Sequence, residues 1–476
     1  MKFLLVGSQT PEGVPNKEFI LPSALLYLAA ALRARDVEVN VLDLNTSGSV
    51  DGVNSKEFYE RILLKRVSDF QPSVVGISCL FSGQFPDVQR YASVIKEAAP
   101  EVPIVIGGLH PTIYASEILA HCPYVDFVVL GEGEDTVVQF VDVLQGAGNF
   151  GDIDGFAYRS NGRVVVHEKK KFIADLDAVP FPAYDAVDLR DYHVDTSRWS
   201  NPKHLSFHAS IPIVSSRSCP LRCNFCSMFL VMGSRWRSRS PANVVDEIQV
   251  LYEKYGQRYF AFMDDNLTLS RKHILEVCNL ISMRGLDIQF DTPNGIATNT
   301  MDEEVLNAMV GAGLIRLSIA IESGSEFIRN KVMRKGLSNR KIYEVAALTK
   351  RYRDLYVRAF FVIGMPEETP ETLRETEEMI RVIDVDEPHV VNIVPFPGTA
   401  VFDQALRDDL LIGGVDVGGL WSKPFFFSGN KRFFIRPYKM TEEELNEFRQ
   451  RIDELTMELI STKAREKGSY VPLLHR

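Results

Sequence analysis

From residue 1 to about residue 148, short runs of apolar and β-branched residues alternate with longer stretches whose apolar positions recur every three or four residues. This is the rhythm of parallel strands joined by crossover helices. Five strands are predicted, over 2–6, 37–43, 73–78, 102–106 and 125–130, with helices near 21–35, 55–70, 86–98, 112–120 and 135–144. Such an arrangement is a doubly wound, Rossmann-like α/β sheet, and ligands of these sheets bind outside the carboxyl ends of the strands. Here those ends carry residues 7–13 and 78–85, then Gly107-Gly108-Leu109-His110-Pro111-Thr112 and Gly131-Glu132-Gly133-Glu134.

A hairpin follows over 155–167, turning at Asn161-Gly162, a dipeptide suited to positive φ at both central positions. The Pro-rich stretch 179–183 and the polar stretch 195–203 carry neither helical nor strand periodicity and read as linker. Strand and helix then alternate again, with six strands over 211–216, 259–264, 287–293, 315–322, 357–363 and 389–394, a partial (β/α)6 barrel. In βα barrels the chemistry sits at the strand ends and the loops after them. A small, mainly helical C-terminal region completes the chain. Its aromatic residues Trp421, Phe425, Phe426, Phe427 and Tyr438 read as packing more readily than as substrate contacts. Its last helix, near 441–467, sets Leu445, Phe448, Ile452, Leu455 and Leu459 at the spacing of a docking face. The expected division is 1–150, 151–204, 205–400 and 401–476.

Composition narrows the function classes. Fifty-three Lys plus Arg against 63 Asp plus Glu leave a net charge of −10, which argues against nucleic acid as main partner. The longest apolar stretch, 19–32, is interrupted by Pro22 and Ser23 and is too short to span a bilayer. The first residues lack the pattern of a secretory leader, so a cytoplasmic location is expected. Six cysteines in 476 residues cannot form a disulfide scaffold, yet Cys219, Cys223 and Cys226 cluster in the loop after the first barrel strand. Zinc in a structural site normally takes a fourth protein ligand, whereas an iron–sulfur cluster on three thiolates leaves one iron open. A zinc knuckle closed by His204 or His208 is the competing reading and ranks behind in a barrel context. Cys79, Cys122 and Cys278 lack such company and read as core thiols.

The spacing Cys-x3-Cys-x2-Cys, with an aromatic residue before the last cysteine, resembles the radical S-adenosylmethionine (SAM) superfamily. The resemblance implies a [4Fe-4S] cluster whose open iron chelates SAM. It further implies SAM contacts at Asp264, Asp265 and Asn266 after the second barrel strand, at Glu322 and Ser323 after the fourth, and at Gly364 after the fifth. Glu367 departs from the pattern, standing where a glycine is common. Without any ligand, Asp265 or Asn266 would be a helix N-cap and Glu322 a solvated cap residue.

A five-stranded sheet directly before such a barrel is similar to the cobalamin-binding radical SAM enzymes, over roughly residues 1–400. That resemblance implies corrinoid contacts at Ser78, Gly107, Gly108, His110, Thr112, Gly131, Glu132 and Gly133. Residues 7–13 contain no histidine, so the expected cobalamin is base-off without a histidine beneath cobalt, and His110 touches the nucleotide tail or caps a helix. The implied activity is C-methylation of an unactivated carbon in a small-molecule substrate, through a 5′-deoxyadenosyl radical and methylcobalamin. A flavodoxin- or ferredoxin-type reductant is the implied partner. A cobalamin-dependent cyclase, oxidase or rearrangement enzyme shares these cofactors, and a sensor or carrier without turnover is the reading from another class. No side-chain acid or base is required, and none is assigned.

Overall fold

The computed structural model describes residues 1–9, 20–47, 56–193, 201–423 and 432–467. Residues 10–13 of the first loop, 195–200 of the expected linker and Phe425 to Phe427 lie outside them. The chain forms two compact units, one of residues 1–192 with 229–233 and 416–423, the other of the remaining described residues.

The first unit is built on β1 (Lys2–Gly7), α1 (Ser23–Arg33), β2 (Glu38–Asp43), α2 (Lys56–Phe70), β3 (Val74–Ser78), α3 (Phe85–Ala98), β4 (Ile104–Gly107), α4 (Leu109–His121), β5 (Phe127–Val129), α5 (Glu134–Leu144), β6 (Phe156–Ser160) and β7 (Arg163–His167). Strand order is β2-β1-β3-β4-β5-β6-β7. The first five strands are parallel, whereas the hairpin β6–β7 adds antiparallel to β5, so the sheet runs on to His167. Asn161 and Gly162 both take positive φ (49° and 74°) at the hairpin turn. Alternation sorts the faces: Leu4, Val6, Val75, Ile77, Ile104 and Ile106 pack with Leu63, Val88, Tyr91 and Ile118 of the helices in one core. Register places Gly7 beside Ser78, Ser78 beside Gly107 and Gly107 beside Val129, so the strand tips form one continuous edge. Trp421 returns to this unit, stacked on His121 at 5.3 Å and edge-on to Phe85 at 6.1 Å.

The second unit holds β8 (Ile211–Ile213), β9 (Ser216–Arg217), α6 (Met228–Met232, most of it counted with the first unit), β10 (Arg237–Ser238), α7 (Pro241–Tyr255), β11 (Tyr259–Phe262), α8 (Arg271–Met283), β12 (Gln289–Asp291), α9 (Glu303–Gly311), β13 (Leu314–Glu322), α10 (Asn339–Thr349), β14 (Tyr356–Ile363), α11 (Pro370–Ile383), β15 (Glu387–Asn392), α12 (Ala400–Arg407) and α13 (Glu442–Lys467). Six parallel strands run in the order β15-β14-β13-β12-β11-β8, the topology of a partial βα barrel. Each helix from α7 to α12 starts behind a side-chain cap, at Ser240, Ser270, Asp302, Ser338, Thr369 and Thr399. Such caps end each strand-to-helix loop at a defined residue, which fixes the loops that carry the chemistry. Arg316, near the amino end of β13, pairs with Asp291, the last residue of β12, and at the amino ends of β14 and β15 Glu387 meets Arg358 Nε at 2.9 Å and the Tyr356 hydroxyl at 3.0 Å. Helix α13 docks through Leu445, Phe448, Ile452, Leu455 and Ile460, with Ile460 rather than Leu459 fully buried.

Arg159 of β6 donates to the carbonyls of Leu119 (2.7 Å), Val125 (2.6 Å) and Cys122 (2.6 Å), closing the end of α4. Arg159→Leu removes this donor from all three carbonyls, of which Cys122 O keeps the Val125 N–H at 3.4 Å, and is expected to destabilise the first unit by about 2–3 kcal/mol, read as a lower urea midpoint.

Candidate functional site

The carboxyl end of β11 grips the cysteine loop at successive points. Pairing of β8 with β11 continues through the Met263 amide, which donates to Ile213 O at 2.8 Å. Asp264 then accepts from the Ser215 hydroxyl (2.7 Å), the Ser216 hydroxyl (2.5 Å) and the Ser215 amide (3.2 Å). Asp265 accepts from the Ser218 amide at 2.9 Å. Asn266 donates its amide N–H to Cys219 Sγ at 3.6 Å. Ser218 takes φ 72°, a conformation that costs a non-glycine residue energy and needs such a hold. Burial drives the Asp265 carboxyl up to about 6, against the Ser218 N–H and the Arg237 charge. Neither Asp265 nor Asn266 caps a helix, because α8 begins later, behind Ser270.

The rest of the loop is tied to neighbouring strand ends. Asn224 N–H donates to Met333 O at 3.3 Å, and Val401 N–H to Asn224 O at 3.1 Å. Cys219, Cys223 and Cys226 are free thiols, and burial pushes the Cys223 thiol up to about 11 while the Lys335 charge opposes it. Among the described residues no group of three His, Cys, Asp or Glu side chains is set to hold a single metal ion, and His204 and His208 are exposed.

Beside the cysteines lies a charge pair that the sequence did not reveal. Strand β13 slips register against β14 between Ala320 and Glu322, and Glu322 takes φ 72°. The bulge turns Glu322 to Lys335, whose ammonium lies 2.6 Å from Glu322 Oε1, Glu322 being buried and Lys335 half-buried. Glu322 is therefore no solvated cap. Lys335 feels Cys223 and Cys219 as well as Glu322.

Ser323 is occupied internally: its hydroxyl accepts from the Ser325 amide at 3.1 Å and meets Thr376 Oγ1 at 3.4 Å. Gly324 is required by close approach, since a Cβ there would lie 2.4 Å from Glu375 O. At the end of β14 the Gly364 amide donates to Glu368 Oε2, as does Met365 N–H at 3.0 Å. Glu368 Oε1 has no partner, and burial raises its carboxyl to about 8, with Glu367 adding to the rise. Glu367 accepts from Gln404 Nε2 at 2.6 Å.

In the first unit several of the expected cofactor contacts serve the protein itself. The Thr112 hydroxyl donates to Gly108 O (2.7 Å) and accepts from the Gly131 amide (3.0 Å), joining the loops after β4 and β5. Glu132 is buried and accepts from Ile173 N–H at 2.9 Å. Gly108, at φ 121°, faces Cys79 O, which a Cβ would approach to 2.3 Å. His110 is fully buried, with Nε2 2.9 Å from Trp421 O and Nδ1 without a partner, and burial lowers it to about 4. Gly133 is the residue before α5, and Leu28 and Val129 fill the space beside it. Ser78, Gly107, Gly108 and Gly131 remain half-buried along the edge. Next to them Leu80 and Phe81 are each 52% exposed, an apolar rim suited to a large cofactor with an apolar face.

A Rossmann-like sheet followed by a six-stranded parallel barrel, with three cysteines behind its first strand, is the architecture of a cobalamin-binding radical SAM enzyme. Two family models agree, the B12 binding domain over residues 17–141 and the radical SAM superfamily over 213–380. The chain belongs to this family of enzymes. It is 30% identical over 418 residues to the uncharacterized methyltransferase PH0819 of Pyrococcus horikoshii, covering 87% of this chain and 84% of that one. It is 27% identical over 396 residues to the anaerobic magnesium-protoporphyrin IX monomethyl ester cyclase of Cereibacter sphaeroides, covering 82% of this chain and 61% of the cyclase. Among solved structures, the radical SAM methyltransferase TsrM of Kitasatospora setae, with tryptophan substrate and a SAM analogue bound, superposes with a TM-score of 0.69 at 19% identity, covering 86% of this chain and 76% of TsrM. No helix among the described residues is long and apolar enough to cross a membrane.

Two outcomes are expected. Asp265→Ala removes the acceptor that holds Ser218 and lowers the iron and sulfide retained per chain after anaerobic reconstitution, with the fold unchanged by circular dichroism. Glu368 holds its proton to about 8 in the folded chain but to the ordinary 4.5 when unfolded, so its contribution to stability falls as pH rises through that window. Glu368→Gln keeps the acceptor without the charge. Its urea-derived stability should therefore gain on wild type between about pH 5 and pH 8, by up to about 1.4 kcal/mol per pH unit.

Proposed function

We propose that the chain is a cobalamin-dependent radical SAM C-methyltransferase acting on an unactivated carbon of a small molecule. The observation that carries this reading is the grip of β11 on the loop that bears Cys219, Cys223 and Cys226. Cys219, Cys223 and Cys226 would hold a [4Fe-4S] cluster. When bound, the reduced cluster supplies the electron that opens the SAM sulfonium, and the corrinoid supplies a transferable methyl group.

The chain's own residues fit these guests. Asn266 Oδ1 is buried without a partner, an acceptor suited to an ammonium group. Glu322 and Lys335 offer one charge of each sign beside Cys223, complementary to the zwitterionic amino-acid end of SAM. Asp264, Ser323, Gly364 and Glu368 shape the strand ends from within. In the first unit Ser78, Gly107, Gly108 and Gly131 form the ledge, and Leu80 and Phe81 its apolar rim. His110 is engaged with Trp421 O, which supports a base-off cobalamin without a histidine beneath cobalt. Thr112, Glu132 and Gly133 hold that ledge in place. A flavodoxin- or ferredoxin-type protein completes the system as electron donor, and the cytoplasm is the location such chemistry suits.

The similarity to a cyclase keeps one other outcome in view, and a test that needs no substrate separates them. The chain is reconstituted anaerobically with iron, sulfide and cobalamin, reduced, and given SAM carrying a deuterated methyl group. A methyltransferase places the label on its bound cobalamin, releases S-adenosylhomocysteine and slowly forms 5′-deoxyadenosine. Formation of 5′-deoxyadenosine with no label on cobalamin would favour cyclisation or oxidation. Absence of both products would contradict enzymatic turnover altogether.

A further inference from the structure

The three residues that close β11 change type where their partner changes. Asp264 and Asp265 face hydroxyl and amide donors and answer with carboxylate oxygens. The next partner is a sulfur atom, which as a thiolate can only accept, and there the chain places an amide, Asn266. A carboxylate in that position would set two negative acceptors against each other.

Resting on the proposed cluster, we infer that Asn266 is a positioning residue that raises its reduction potential by hydrogen-bonding the Cys219 ligand. Its Nδ2 lies 3.6 Å from Cys219 Sγ and the side chain is 1% exposed, so water does not compete for the sulfur from this side. A donor to a ligand sulfur withdraws electron density and stabilises the more negatively charged, reduced form of the cluster. Lys335 also lies near Cys219, but Glu322 neutralises it at 2.6 Å. The amide of Asn266 carries no such compensating charge.

Asn266→Leu removes the donor at similar volume, and Asn266→Met does so with a side chain that adapts to an irregular gap. Both are reconstituted with iron and sulfide, iron is counted, and the midpoint is followed by the EPR signal of the reduced cluster, without SAM or substrate. The midpoint is expected to move negative in each variant that holds a full cluster. The ratio of reduced to oxidised cluster at a fixed potential should drop about tenfold, equivalent to about 59 mV for one electron. A midpoint equal to wild type in either cluster-bearing variant overturns the inference, as does failure of both to retain iron, which makes Asn266 a purely structural support. Absence of a four-iron cluster in the wild type would instead overturn the proposed function.

Discussion

The hold of β11 on the cysteine loop is the interaction on which the rest depends. A loop carrying three thiols has no regular hydrogen bonds of its own, and ordering it costs backbone entropy residue by residue. Here the register of two parallel strands continues past their ends. Met263 still pairs with Ile213, and Asp264, Asp265 and Asn266 then take Ser215 with Ser216, Ser218, and Cys219. The entry to the cysteine loop is thus specified by the sheet itself. His273, 3.2 Å from the Ser215 hydroxyl, and Asn224, bonded to Met333 and Val401, extend that hold to α8, to the segment between β13 and α10 and to the first turn of α12.

Around this point the protein buries charge in pairs. Lys335 with Glu322, Arg316 with Asp291 and Arg358 with Glu387 line the barrel sheet from its carboxyl to its amino ends. Buried pairs of this kind contribute little net stability compared with apolar replacements, yet losing one partner is costly. They fix geometry. Arg329 shows the same principle without an acid partner, donating to Ser323 O, Leu337 O at 2.7 Å and Asn339 Oδ1 while fully buried, which ties the end of β13 to the start of α10.

Much of this was legible in the sequence. Period-two and period-four patterns located both sheets, and Asn161-Gly162 marked its hairpin. What stayed hidden were partnerships across long sequence separations. Asp264 and Asp265 read as carboxylates awaiting a ligand because Ser215 and Ser218 lie far upstream, and only strand register brings them together. Thr112 read as a free hydroxyl, though its partners are loop backbone groups at Gly108 and Gly131. Lys335 carried one weak signal, a cation close to the buried Met333 and Leu337. Trp421 gave no hint that a late segment folds back onto α4.

The central claim is that this hold presents three sulfur ligands and leaves a fourth metal position for SAM. Mössbauer spectroscopy of chain reconstituted with isotopically enriched iron, recorded before and after addition of SAM, reads that position directly. One iron of the four should change its isomer shift when SAM is added while the other three stay put. Four irons that ignore SAM, or a site that takes up zinc in place of a cluster, would contradict the account.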